Sequence, residues 1–590
     1  MHVLFTYSVK RLNFSFSHAL KLLSKTKFLV MEYADLKTFS CYKENNYEAA
    51  VETLNSLQSN ASVLEKARLQ KDRQAITNVP FTEKYLNRLG IPLDKIDQQL
   101  KIIHVSGTKG KGSTCAFCES ILRYHGLKTG FYSSPHLIEV RERIRINGKP
   151  LSKEEFARYF WEVYNPLKNY MDDEHDMPAY FKFMTIMAFY VFLNEKVEVA
   201  IFEVGIGGLY DCTNVIRKPV VVGITSLGLD HVSLLGNTVE KIAFHKAGIM
   251  KPLVPTYTVS DQPGESLNIL AEKALDIKCP LYIVPSLDEY HWAPYQIKLG
   301  LSGKVQWKNA SLALQLSRAF LNPKIESVSA EQDKCIFPVS ALPFQIHLPD
   351  ALGLAQTFWP GRSQILRLKT ATFYIDGAHT PESIEACVEW FLHASASSKR
   401  RQKRVLIFNT TGDRNASLLL APLKRCQFDV AIFCSNIIGT ANESASKGQY
   451  AASSLPLFLC IDVVHLLCVD LLNLMVTKDQ QVRRSNVNLL NLMVTKDQQV
   501  RRSNVNSDAW LENGFRFNGT SSQKQMVVAL PTINTALNYV NDKLVDNETD
   551  GLDVLVTGSL HLVGGVLSLL DPDHNFLLVN KTNSVSPKTS

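Results

Sequence analysis

The stretch "HVSGTKGKGSTCAF", residues 104–117, sets two lysines among glycines between an apolar run and a helix-like segment. Glycines let backbone N–H groups converge on phosphate oxygens, and a helix N-terminus adds positive potential. The strict spacing G-x-x-x-x-G-K-[ST] does not fit. Counting back from Gly110 and Lys111, the first glycine falls on Val105, and Gly112 stands where Ser or Thr is expected. The residues alone leave two readings: a nucleotide site with its own spacing, or a glycine turn with solvated lysines. In the first, Gly107, Thr108, Gly110, Lys111, Gly112 and Ser113 form the cradle. Lys111 neutralises the outer phosphates, and Ser113 is placed as the helix N-cap.

Three further groups are of the right type to accompany such a loop. Glu203 ends the apolar run "VAIFEVGIGG", where a carboxylate reaches a magnesium ion directly or through water, or else caps a turn. Asp230 and His231 follow in "LGLDHVSLLGNTVEKIAFHKAGI", residues 227–249. His231 can bind a second metal or orient an acidic group, against the plainer reading of a structural hydrogen bonder. Lys246 sits among apolar residues in the same string, so it needs a partner or an altered charge.

These residues hang on a repeated design. Apolar β-branched runs ending in polar or glycine residues recur at 101–107, 197–208, 220–231, 371–380, 404–414, 429–436 and 553–565. Such runs suit strands buried on both faces of a parallel sheet. Helix-like stretches lie between them, such as 113–126 with Gly126 as its stop. Strands alternating with helices predict an α/β protein whose ligands bind outside the carboxyl ends of the strands. A domain break is expected between about 340 and 358, before "FWPGR".

The bulk properties bound the rest. The 590 residues suffice for two to four domains, with 45% hydrophobic and 20% charged residues, as in an ordinary globular protein. Five basic residues and no acidic one in the first thirty supply most of the net charge of +8, so no nucleic-acid footprint remains. That leader, taken as residues 1–45, has the composition of an organelle transit peptide, with Met31 available as an internal start. Mitochondrion (matrix or inner membrane), plastid and cytoplasm are the compartments it allows. Cys115 and Cys118 form a lone C-x-x-C pair in a helix and read as buried thiols rather than zinc ligands. The most apolar segment, 455–472, is broken by Asp462, His465 and Asp470, so no transmembrane segment is expected. Residues 471–488 recur without change at 489–506, and the region 454–506 reads as an anomalous insert without chemistry. Residues 573–590 read as a flexible tail.

In order along the chain, "SGTKGKGST", "YSSPHL", "VRERIRING", "FEVGIGG", "LGLDH", "LGNTVEKIAFHKAGI", "WPGR", "DGAHTPES" and "FNTTGDR" resemble the folylpolyglutamate synthase family, relatives of the bacterial Mur ligases. The resemblance implies an N-terminal phosphate-loop ATPase domain with a mainly parallel sheet, residues 46–350. A smaller Rossmann-like domain follows at 357–572. It implies a monomeric ligase that uses MgATP, with a monovalent cation such as K+ as an optional addition. This ligase joins L-glutamate in γ-linkage to tetrahydrofolate or its polyglutamates through an acyl phosphate. Ser134 and Glu203 match its first magnesium site and His231 its second. Lys246 matches a lysine carbamylated in some members, and Lys111, His231 and Lys246 take the catalytic places. Gln306, Asn309, Arg362, Asp376 and His379 match ATP contacts from the domain junction and the second domain.

Two departures stand out: Leu209 where the family carries Arg in G-G-R-[LY]-D, and Val305 where a His is common. Dihydrofolate synthase is the nearest alternative, though "DGAHTPES" is closer to the polyglutamylating branch. An inactive ligase-like scaffold is the second alternative, and a Mur ligase acting on peptidoglycan precursors a distant third.

Overall fold

The computed structural model describes residues 45–58, 71–173, 176–323, 338–396, 402–411, 414, 416–439, 515–518, 526–545 and 551–572. The leader up to residue 44, the insert at 454–506 with its duplication, and the tail from 573 lie outside the described residues.

The first sheet contains β1 (Ile102–Ser106), β2 (Thr129–Tyr132), β3 (Ile144–Ile146), β4 (Lys149–Pro150) and β5 (Val199–Glu203). It continues with β6 (Val221–Ile224), β7 (Thr256–Thr258), β8 (Leu281–Ile283) and β9 (Val339–Ser340). Their spatial order is β4-β3-β2-β5-β1-β6-β7-β8-β9, antiparallel only at the β2-β3-β4 edge. All five residues of β1 and of β5 are buried, the polar His104, Ser106 and Glu203 included, as befits strands covered on both faces. From β1 the chain crosses past β5 to β2, returns to β5, and then adds β6 on the other side of β1. The carboxyl end of β1 therefore lies where the winding reverses, the usual crevice for ligands in such sheets.

Helix α1 (Lys111–Tyr124) follows β1 directly, and α2 (Tyr180–Asn194), apolar nearly all round, covers the other face. There Phe189 stacks on Phe202 with ring centres 4.5 Å apart. Helix α3 (Val239–Ala247) follows the loop after β6, and α4 (Val305–Leu321) and α5 (Leu348–Ala355) pack against α1.

The second sheet has its own core. Its strands are β10 (Gln364–Arg367), β11 (Ala371–Ile375), β12 (Lys403–Phe408), β13 (Val430–Cys434), β14 (Phe515–Asn518), β15 (Met526–Leu530) and β16 (Leu552–Thr557). They run β10-β11-β16-β12-β13-β15-β14, parallel through the five central strands, with α6 (Pro381–Ser395) and α7 (Leu560–Leu570) on its faces.

The packing of the first domain runs through residue 350: α5, Leu348–Ala355, lies on α1, and the second sheet opens with β10 at Gln364. One sequence expectation needs correction: the run 553–565 is not one strand. It is β16 followed by α7, whose N-cap Ser559 accepts a hydrogen bond from the His561 amide at 3.2 Å.

The two domains meet along named contacts. Trp359 lies 5.2 Å from the Phe131 ring, and the Arg145 guanidinium stacks on it at 4.9 Å. Its indole also covers Gly112, where a Cβ would stand 3.0 Å from Nε1, so a Ser at this position would be crowded. Leu137 and Ile138 of the first domain pack against the apolar core of the second. Among the described residues no helix is long and apolar enough to cross a membrane, and seven described cysteines, Cys115 and Cys118 included, are free and buried.

The approach of α5 to α1 is testable. A Cβ on Gly353 would stand 2.5 Å from the Ile121 Cα, a backbone atom that cannot turn aside. Gly353→Ala should cost about 1–3 kcal/mol through forced separation of the helices. Gly228→Ala, with no atom within 4 Å of the new methyl, should stay within about 0.5 kcal/mol in the same denaturant titration.

Candidate active site

The loop after β1 is shaped by how closely its neighbours approach. Gly107 has φ +145°, and a Cβ there would fall 1.8 Å from the Thr225 hydroxyl oxygen at the end of β6. Gly110 has φ +91°, and a Cβ would fall 2.2 Å from Asn309 Oδ1 on α4. Only glycine fits both places. The amides of Thr108 and Lys109 both donate to the Ser226 carbonyl at 3.0 Å, which clasps the loop to the segment after β6. The Gly110 carbonyl accepts from the Thr114 amide at 2.8 Å. Gly110, not Ser113, is therefore the helix N-cap, and Ser113 is buried in the first turn. The left-handed glycine at the cap displaces the expected serine from that role.

Two lysines converge on one oxygen of this loop. Lys111 Nζ donates to the Gly107 carbonyl at 3.0 Å, and Lys246 Nζ, arriving from α3, donates to it at 2.7 Å. Lys246 is only 3% exposed. Burial, with the charge of Lys111 adding to it, holds its ammonium well below the usual lysine range. Lys109 pairs with Asp230 at 2.9 Å. For Asp230, the pull of Lys109 outweighs the upward push of burial and keeps the carboxyl ionised well below the usual range. The other Asp230 oxygen accepts from the His231 amide at 2.9 Å, which fixes the left-handed backbone of His231, φ +50°. Burial lowers the proton affinity of the His231 ring, and Asp230 opposes this.

Glu203, the last residue of β5, is 5% exposed and faces the loop. Burial pushes its carboxyl up, and the charge of Lys111 draws it back down. One of its oxygens accepts from the Ser134 amide at 3.1 Å, so the structure joins these two residues through Ser134's backbone.

The second domain contributes Arg362, Asp376 and His379. Asp376 accepts from the Ser363 amide at 2.7 Å, its hydroxyl at 3.2 Å, and the Ala378 amide at 2.9 Å. Its oxygens thus hold the turn that carries Arg362. The Arg362 Nη1 in turn donates to the Gly361 carbonyl at 3.2 Å. His379 Nδ1 meets the Gly377 carbonyl at 2.7 Å, so Nδ1 carries the proton and Nε2 is left as an acceptor. Burial, together with Lys109, pushes this imidazole down to about 3. Gln306 and Asn309 are buried side by side on α4, the Asn309 amide donating to Gln306 Oε1 at 2.9 Å.

Most of these groups border one cleft of about 1400 Å³ between the domains. Every sequence-predicted site residue lines it except Gly107 and Lys246, which support the loop from beneath. The motif reading missed the Lys109 to Asp230 pair and the Trp359 wedge. Asp230 was visible as a strand-end acid, but its partner lies 121 residues away in sequence.

Comparison with known proteins adds a second line of observation. The Mur ligase middle domain matches residues 105–285, from the phosphate loop through β8. The mitochondrial folylpolyglutamate synthase of Cricetulus griseus is 44% identical over 561 residues, covering 89% of this chain and 92% of that protein. The chain belongs to the folylpolyglutamate synthase family. The human mitochondrial member of that family is 43% identical with the same coverage. The folylpolyglutamate synthase of Mycobacterium tuberculosis, solved with ADP and AMPPCP, shares the fold with TM-score 0.58 at 21% identity, covering 86% of this chain and 98% of that one.

Leu209 donates its amide to the His245 carbonyl at 2.8 Å and accepts from Asn214 Nδ2 at 3.0 Å. Val305 opens α4, 42% exposed at the cleft.

A fourth lysine in this region gives a clean pH test. Lys251 Nζ donates to Asn214 Oδ1 at 2.9 Å, and burial pushes it from 10.5 down to about 8. Between those values the unfolded chain binds the extra proton, so this group makes stability rise with pH over that window. Lys251→Met should flatten that rise in denaturant titrations taken from pH 8 to 10.5.

Proposed function

We propose that the protein is a tetrahydrofolate:L-glutamate γ-ligase, ADP-forming, that lengthens tetrahydrofolate and its polyglutamates in the mitochondrion. Support for the reaction comes from the convergence of Lys111 and Lys246 on the Gly107 carbonyl opposite Glu203, in a cleft that both domains complete. The compartment follows the mitochondrial relatives and the basic, acid-free leader.

The chemistry fits the groups present. A carboxylate is a poor acyl donor, so its oxygen first takes the γ-phosphoryl of ATP, releasing ADP and leaving an acyl phosphate. The glutamate amine then attacks that carbonyl carbon, phosphate departs with the bonding pair, and the amine proton is lost. The loop amides at the start of α1 and Lys111 stabilise charge on the transferring phosphoryl. Arg362 adds a cation from the second domain, aimed by Asp376. Closing the cleft excludes the water that would hydrolyse the intermediate.

The donors present fit magnesium: Glu203 is a hard carboxylate turned into the cleft, with Ser134 beside it and His231 across the loop. Glu203 with Ser134 would hold one Mg2+ and His231 a second, supplying neutralisation of the phosphate oxygens. Burial biases Lys246 toward the amine form that carbamylation requires.

Purified protein starting at Met31, given MgATP, glutamate and tetrahydrofolate, should form a ladder of glutamate adducts by mass spectrometry, with matching ADP release. A single addition to dihydropteroate alone would assign it to dihydrofolate synthesis instead. No product from a folded protein would favour the inactive scaffold. Lys111→Ala should lower turnover by roughly 100-fold or more, and near-normal rates would overturn the loop assignment.

A further inference from the structure

We infer that Glu142 is a positioning residue that ties the seating of the second domain to the Glu203 carboxylate. Glu142 is 4% exposed and does not line the cleft. Its carboxylate gathers three successive amides, those of Leu137 at 3.1 Å, Ile138 at 2.9 Å and Glu139 at 2.7 Å. The neighbouring Arg143 holds the same segment at its start. Its carbonyl accepts from the Ser133 amide at 3.0 Å, and its Nε donates to His136 Nδ1 at 2.9 Å. The segment 133–139 therefore hangs from two adjacent residues.

What hangs there faces two ways. At one end the Ser134 amide donates to Glu203 at 3.1 Å. At the other, Leu137 and Ile138 pack against the core of the second domain. Leu137 presses on Gly361, where a Cβ would lie 3.3 Å from both Leu137 δ-carbons and 2.9 Å from Val563 Cγ1. Gly361 immediately precedes Arg362, the cation that the second domain brings to the cleft. A shift of the Leu137 end thus moves both the Glu203 partner and the Arg362 backbone. Three charge-assisted hydrogen bonds to one buried carboxylate hold these two ends in register. A glutamine at this position removes the charge and turns an N–H2 donor toward backbone donors.

The inference rests on the reading that Glu203 serves the magnesium of the ligase, so its test carries a second readout. In Glu142→Gln, the Mg2+ concentration for half-maximal ADP release should rise roughly 10–100-fold, the effect of losing an outer support of a metal ligand. Leu137→Ala, which keeps Glu142 and removes the contact with the second domain, should shift it in the same direction. Leu420→Ala, in the second core away from this segment, should lower Tm and leave the Mg2+ dependence unchanged. Backbone hydrogen exchange over 133–139, measured without metal or nucleotide, should quicken in Glu142→Gln and not in Leu420→Ala. A Glu142→Gln enzyme with wild-type Mg2+ dependence and exchange, or an equal Mg2+ shift in Leu420→Ala, would overturn the inference. If Glu142→Gln does not fold, Leu137→Ala decides, and an unchanged Mg2+ dependence there overturns it. Absence of Mg2+-dependent turnover in the wild type would instead defeat the functional reading, and the exchange measurement would still decide the role of Glu142.

Discussion

The Gly107 carbonyl is the point on which the site turns. It leaves the buried central strand with Thr225 so close that no side chain fits, and two lysines from different helices donate to it. That geometry forces the following residues into a turn clasped by Ser226, and places Gly110 against Asn309 as the start of α1. Because the strand end, the neighbouring strand end and α4 all touch the same few atoms, a displacement of any of them reaches the phosphate cradle. Two lysine nitrogens also crowd one neutral oxygen, with the charge of Lys111 acting on Lys246. Such a place favours an arriving anion and disfavours a proton on Lys246.

Much of this was legible along the chain. The buried parallel strands announced themselves as unbroken β-branched runs, and Lys111, Glu203, His231 and Asp376 stood at or just past their ends. The helix at 348–355 carries little in its own sequence that assigns it to either domain. It belongs to the first because Gly353 lets it lie on Ile121, a contact more than 200 residues distant in sequence. The run 553–565 is apolar throughout, and hydrophobicity alone does not separate a buried strand from a buried helix. Ser559 was the available cue. Ser113 is a good cap by residue type, but the left-handed glycine three places earlier already ends the non-helical segment. The Lys109 to Asp230 pair joins two loops by the fold alone, and no local pattern reports it.

Among the described residues, those through which the second domain meets the first are not interchangeable surface. Trp359 lies against Phe131, Arg145 and Gly112 at once, so the linker is held to the sheet, to a buried cation and to the phosphate loop. Arg362 comes three residues later and inherits that placement. The absence of a side chain at Gly112, which looked like a defect in the phosphate-loop pattern, is what gives the indole room.

Leu137 and Ile138 give the architecture a historical meaning. Each domain has its own sheet, which suggests units free to be exchanged between relatives by recombination. Yet a loop that precedes it by more than 200 residues packs two apolar side chains against the second domain's core. A chimera cut at the linker would pair a core with a foreign plug, leaving either a void or an overlap. The two halves are thus bound to change together, and a lineage can vary its second domain only as fast as this loop can follow.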